Sequence, residues 1–143
     1  MSKSRVVYTH AEDIKKLAAD IVETLKDHFW YIDLSRVYFI RSRNSRTRAI
    51  ARIHGLPRIW VYVMNIKPMY IVEVVSENFD SLSFKEKIYV IVHELLHIPK
   101  SFGGGLRPHK SFVSNIKVEK LVKIYLDRKT STASNSGALD LDE

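Results

Sequence analysis

The sequence predicts a single α+β domain, with helices toward both ends of the chain and short strands between them. Helical periodicity near the N terminus and again after residue 83 encloses runs rich in Val, Ile, Tyr and Trp. The 143 residues fit one domain, and the apolar fraction of 45% suffices for a core. Cysteine is absent, which excludes disulfides, thiolate metal sites and cysteine nucleophiles. Since no run is typical of a signal peptide or membrane span, we expect a cytoplasmic protein without membrane contact.

The first element is an amphipathic helix. Thr9 and Glu12 have the spacing of a capping box, which predicts that the helix begins there. The apolar residues recur every three or four positions, as on one face of a helix: Ala11, Ile14, Leu17, Ala18, Ile21, Val22 and Leu25.

Three or four strands should follow between residues 36 and 75. The runs VYFI, RAIARI, RIWVYVM and MYIVEVV are short, rich in β-branched and aromatic residues, and separated by turn residues. RAIARI is the ambiguous member, because Ala and Arg suit a helix equally well.

A second helix begins at another capping-box pattern, Ser83 to Glu86. Apolar residues lie around most of the circumference of this helix, which predicts that it is buried. Pro99 should end the helix at Ile98. A glycine-rich loop and a last helix from about His109 follow. We therefore expect a domain over residues 1–129, and a disordered acidic tail over residues 130–143 because the composition there becomes polar and small.

The second helix carries the sequence His93-Glu94-Leu95-Leu96-His97. Residues four apart lie on one helical face, so both imidazoles can bind one ion, and Zn²⁺ prefers imidazole nitrogen. Glu94 is rotated about 100° from His93 and can act as a general base without binding the metal. The pattern predicts one zinc ion held by His93 and His97, with Glu94 as the catalytic residue.

A third metal ligand must come from beyond this helix. His109, after three glycines that can redirect the chain, is the favoured candidate. Glu119, in the last helix, is the alternative, as in zinc peptidases that use a glutamate.

The run VIVHELLHIPKSFGGGLRPHKSF, residues 90–112, resembles the small HExxH metallopeptidases of archaea and phages and the wider minimal-zincin group of SprT, YgjP-like and WLM proteins. The resemblance implies a compact zincin, with a mixed sheet beside the active-site helix and zinc on His93, His97 and His109. The loop between His97 and His109 is longer than in WLM proteins, and the Cys-rich ribbon of many SprT domains is missing.

The expected reaction is zinc-assisted hydrolysis of a peptide or protein substrate. Arg107, Lys110 and Tyr125 are candidates to stabilise the oxyanion or contact substrate, because they lie near His109 in the sequence or in the last helix. By analogy with zincins, an extended substrate should add to a sheet edge, for which we expect the strand at residues 70–75.

A basic strip favours a second function. No acidic residue occurs between Leu34 and Val72, and its candidate anion-binding residues are Arg41, Arg43, Arg46, Arg48 and Arg52. The alternative is thus a nucleic-acid-associated module with a structural zinc, or a protease that acts on proteins bound to nucleic acid. An inactive domain with the same fold is a third possibility. The sequence does not predict the oligomeric state.

Overall fold

The computed structural model describes residues 5–108 and 113–141, with side chains through residue 131, and has an α+β fold. Its strands are β1 (Val7–His10), β2 (Val37–Arg43), β3 (Ala51–Gly55) and β4 (Tyr70–Val75). Its helices are α1 (Glu12–Thr24), α2 (Lys26–Phe29), α3 (Arg58–Met64), α4 (Ser76–Phe79), α5 (Phe84–Leu96) and α6 (Asn115–Leu141). No helix in the described ranges is both long and apolar enough to cross a membrane.

The four strands form one mixed sheet in the order β1-β2-β4-β3. The β2 and β4 strands are parallel, whereas the β1–β2 and β3–β4 pairs are antiparallel. Because β4 pairs on both sides, it has no free edge, and the expectation that substrate adds to residues 70–75 is wrong. Among the strands of the described ranges, β1 and β3 are the ones with a free edge.

Helices cover one face of the sheet. Tyr70, Val72 and Val74 of β4 point into this layer and are fully buried with residues of α1, α5 and α6. On the opposite face, Tyr38 and Ile71 remain partly exposed. The core therefore lies between the sheet and the layer formed by α1, α5 and α6, in which α5 packs against β3.

Two local predictions in the first half of the chain were wrong. RIWVYVM is helix α3, since Pro57 precedes the helix and Asn65 ends it in the left-handed conformation, with φ of 51°. A short apolar run does not distinguish strand from helix, whereas these flanking residues favour a helix. Thr9 lies in β1, the strand that the sequence did not predict, and Ala11 precedes α1 without a side-chain cap.

The capping box at α5 is confirmed: the Ser83 hydroxyl accepts from the Glu86 amide, and the Glu86 carboxylate accepts from the Ser83 amide. The last helix begins at Asn115 rather than near His109, and Ser114 caps it by accepting from the Lys117 amide. Its backbone continues to Leu141, through most of the segment expected to be disordered. The domain boundary at residue 130 stays a prediction.

Candidate metal centre

The C-terminal half of α5 positions two histidines and a glutamate. The opposite side of the helix packs into the core through Ile88, Ile91 and Leu95, which fixes its rotation. His93 and His97 therefore share one face, with ring centroids 5.2 Å apart and ring planes at 69°. His97 lies at the helix terminus and still has helical backbone angles.

The ligand atoms of His93, Glu94 and His97 all lie within 4.8 Å of one another. Two imidazoles and a carboxylate are donors that suit a first-row divalent cation such as zinc. Among the residues that the structure describes, these are the three His, Asp or Glu side chains that lie close enough together to bind one ion as a group.

A backbone carbonyl orients His97. Its Nδ1 lies 2.7 Å from the Arg107 carbonyl oxygen, and the Arg107 amide donates to the His97 carbonyl at 2.7 Å. Because a carbonyl oxygen can only accept, Nδ1 carries the proton, and Nε2 becomes the nitrogen that can bind a metal. Such an outer hydrogen bond fixes both the tautomer and the ring orientation of a metal ligand.

The glycine-rich loop between His97 and Arg107 is anchored to the sheet by hydrogen bonds. The Gly104 amide donates to the Tyr70 hydroxyl at 3.0 Å, and the Gly105 amide donates to the Leu56 carbonyl at 3.0 Å. Gly104 has φ of 97°, and a Cβ there would lie 2.8 Å from the Leu56 carbonyl oxygen. Glycine is thus required for the close approach, and the loop returns the chain to His97 as a fixed connection.

Glu94 is 7% exposed, and its burial raises the pKa of its carboxyl to about 7. Desolvation is the cause, because burial disfavours the charged carboxylate. A carboxyl with a pKa near neutrality can both accept and return a proton, which is the property that a general base needs.

The family comparison agrees with this chemistry. The profile of the family described as "Putative phage metallopeptidase" matches residues 6–130 of the chain. The chain belongs to this family. It matches no curated protein and no solved structure. As a member of a metallopeptidase family, it is expected to need a metal ion, and the His93, Glu94 and His97 group can bind one.

The other predicted site residues of this metallopeptidase either lie outside the described residues or are not part of the group on α5. His109 and Lys110 lie outside the described residues. Glu119 is exposed on α6 and interacts with Tyr89, and it is not part of the group on α5. The Tyr125 hydroxyl donates to Asp20 on α1, so it is used between helices and is not directed to the metal centre.

Arg107 is adjacent to the centre, but it contributes through its backbone. Its guanidinium carbon lies 5.8 Å from the ring centroid of Tyr31, over the aromatic face. The sequence predicted Arg107 as a candidate oxyanion or substrate contact, which stays a prediction, and did not predict the carbonyl that orients His97. A backbone acceptor has no signal in the side-chain pattern, so this role could not be predicted.

The basic strip is partly neutralised by carboxylates from outside it. The Arg41 guanidinium donates to Asp13 at 2.5 Å and to Asp80 at 3.0 Å. Arg52 donates to Glu73 at 2.9 Å. The remaining candidates of the strip are exposed: Arg43, Arg46 and Arg48. The strip therefore offers less uncompensated charge than its sequence suggests.

Proposed function

We propose that this protein is a zinc-dependent peptidase that hydrolyses peptide bonds, with Glu94 as the general base. The observation that carries the proposal is the group on α5, where two imidazoles and a buried carboxylate lie within 4.8 Å. His93 and His97 would hold the ion, and His109 is the proposed third ligand.

When bound, zinc would polarise the substrate carbonyl and acidify a water molecule. The Glu94 carboxylate takes the proton from the attacking water and returns it to the leaving amine. Burial of Glu94 raises the pKa of its carboxyl, which favours uptake of this proton. The Arg107 carbonyl keeps the His97 ring in place through its hydrogen bond with Nδ1.

The substrate would bind as an extended chain at the free edge of β3. The Val75 amide donates to the Ile50 carbonyl and the Leu56 amide donates to the Met69 carbonyl, so the even-numbered residues of this strand bond to β4. In an antiparallel ladder the alternate residues, Ala51, Ile53 and Gly55, then direct their amides and carbonyls away from β4. An added strand uses such groups.

The first test is Glu94→Gln, which keeps the shape of the side chain and removes the base. We expect hydrolysis of a peptide library to fall by about 10² to 10⁴-fold while one zinc per chain is retained. His93→Ala is the matched variant that should lose both zinc and hydrolysis. Full hydrolysis by Glu94→Gln would exclude Glu94 as the base, and a wild-type protein without stoichiometric metal would exclude the proposed peptidase.

The third ligand is tested by a second pair of variants. We expect His109→Ala to lower zinc affinity strongly, because it removes one of three ligands, and Glu119→Ala to leave the affinity unchanged. Competition with a chromophoric chelator measures both. The reverse result would assign the third ligand to Glu119.

Binding of nucleic acid stays a prediction that the exposed Arg43, Arg46 and Arg48 support. Affinity for duplex DNA that falls steeply with salt would favour a protease acting on proteins bound to nucleic acid. No binding at low salt would exclude this version.

A further inference from the structure

Helix α3 presents an unusual surface. Five of its seven residues are large apolar side chains that are more than half exposed: Ile59 (70%), Trp60 (55%), Tyr62 (84%), Val63 (71%) and Met64 (52%). Monomeric proteins rarely expose contiguous apolar patches larger than a few hundred Å², and larger patches mark binding surfaces. The exposed face of α3 is therefore expected to bind a partner or a substrate.

The helix is fixed relative to the metal centre. On its inner side, Val61 and Arg58 pack against Gly104, where a Cβ would lie 3.3 Å from a Val61 methyl. Gly105 donates to Leu56, just before α3, and Arg107 closes the loop onto His97. A few residues of one loop thus connect α3 to a metal-binding side chain.

The helix also continues the path of β3. Only Leu56 and Pro57 separate the end of β3 from the start of α3. An extended chain paired with the free edge of β3 and continuing past Gly55 would approach α3. Main-chain pairing at β3 would supply affinity for any sequence, and α3 would select among side chains.

We propose that α3 is the specificity surface of the peptidase and that it binds apolar side chains of an extended substrate a few residues from the cleaved bond. This inference rests on the proposed function. It identifies the substrate class as extended, apolar segments of a peptide or unfolded protein.

Charge favours a substrate over a second copy of the chain as the occupant. Arg58 begins α3 and Lys67 follows it, both exposed, and no acidic residue occurs between Leu34 and Val72. Two copies paired through α3 would bring these basic groups toward each other. An apolar segment that carries acidic residues complements the same surface.

The test measures binding in the Glu94→Gln background, so that it does not depend on turnover. The probes are two fluorescent extended peptides with identical acidic ends, one with Leu and Phe at its centre and one with Ser and Asn. The test variant is the pair Tyr62→Ser and Val63→Ser. The control is Phe84→Ser, which removes a side chain that is 61% exposed at the far end of α5.

We expect the α3 variant to bind the apolar peptide roughly tenfold more weakly and the polar peptide with unchanged affinity, since only the apolar contact is lost. The control should match the parent, and circular dichroism should show that all three proteins are folded. Equal affinity of the parent and the α3 variant for the apolar peptide would overturn the proposal. A dimer that the α3 variant dissociates, or flotation with anionic vesicles that it abolishes, would overturn it in favour of a second copy or a lipid surface.

The two proposals fail in different ways. A wild-type protein that binds apolar peptides through α3 but hydrolyses none would retain α3 as a peptide-binding surface and exclude the peptidase. Hydrolysis that shows no preference for apolar peptides, with binding unaffected by the α3 variant, would do the reverse.

Discussion

Replacement of Glu73 by glutamine should reduce the acid sensitivity of the fold. Glu73 lies in the central strand β4 and is 2% exposed. Burial alone would raise the pKa of its carboxyl, but hydrogen bonds with Arg52 and with His54, both on β3, outweigh burial and hold the pKa at about 2. These contacts also join the edge strand β3 to the interior of the sheet.

The sign and size follow from the two protonation states. The pKa of an unfolded glutamate is 4.5, so folding favours the ionised form, and the stabilisation is complete above pH 4.5 and lost as the pH falls toward 2. A shift from 4.5 to about 2 corresponds to about 3 kcal/mol at most, of which about 2 kcal/mol is lost between pH 7 and pH 3.

Urea denaturation at a series of pH values between 7 and 3 measures this contribution. Between these limits the wild type should lose about 2 kcal/mol more unfolding free energy than Glu73→Gln. Glu23→Gln, which removes an exposed carboxylate on α1, is the control and should follow the wild type. The same pH dependence in wild type and Glu73→Gln would refute the assignment of this stabilisation to Glu73.

Three further predictions concern the elements around the metal centre. Gly104→Ala should lower both stability and zinc affinity, measured by thermal melting and chelator competition, because the added Cβ meets the Leu56 carbonyl at 2.8 Å and φ is 97°; unchanged zinc affinity would contradict the role of the loop. Tyr70→Phe should lower the free energy of unfolding by about 1 to 3 kcal/mol, since the buried Gly104 amide loses its acceptor; a neutral effect in urea denaturation would show that the amide finds another partner. Ser83→Ala should lower it by about 1 kcal/mol through loss of the α5 cap, whereas Ser81→Ala, outside the helix, should not.

The features that the sequence predicted correctly depend on local signals. The capping box at Ser83 and the spacing of His93 and His97 act within one helix, so the start of α5 and the pairing of its imidazoles follow from neighbouring residues. The resemblance to metallopeptidases was drawn from the segment that carries these histidines, and the family profile matches residues 6–130.

The features that it missed depend on long-range pairing. The sequences of β3 and β4 do not indicate which of the two strands has a free edge, because the position of β2 beside β4 decides it. The sequence predicted the basic strip without its counter-ions. These are Asp13 and Asp80, which lie far from the strip in the sequence, and Glu73, which pairs with Arg52 from the neighbouring strand β4. The run RIWVYVM predicted a strand although it forms helix α3, because its six apolar residues fit either period.

The connection of His97 to the sheet has a consequence for assembly of the molecule. The position of His93 is set within α5, whereas the orientation of His97 depends also on Arg107, and through the glycine loop on Leu56 and Tyr70. A partly folded chain therefore presents one correctly placed imidazole, and the second requires β3 and β4 to be in register. Metal uptake should accordingly follow folding and report that it is complete, and saturating metal should raise the melting temperature of the entire domain.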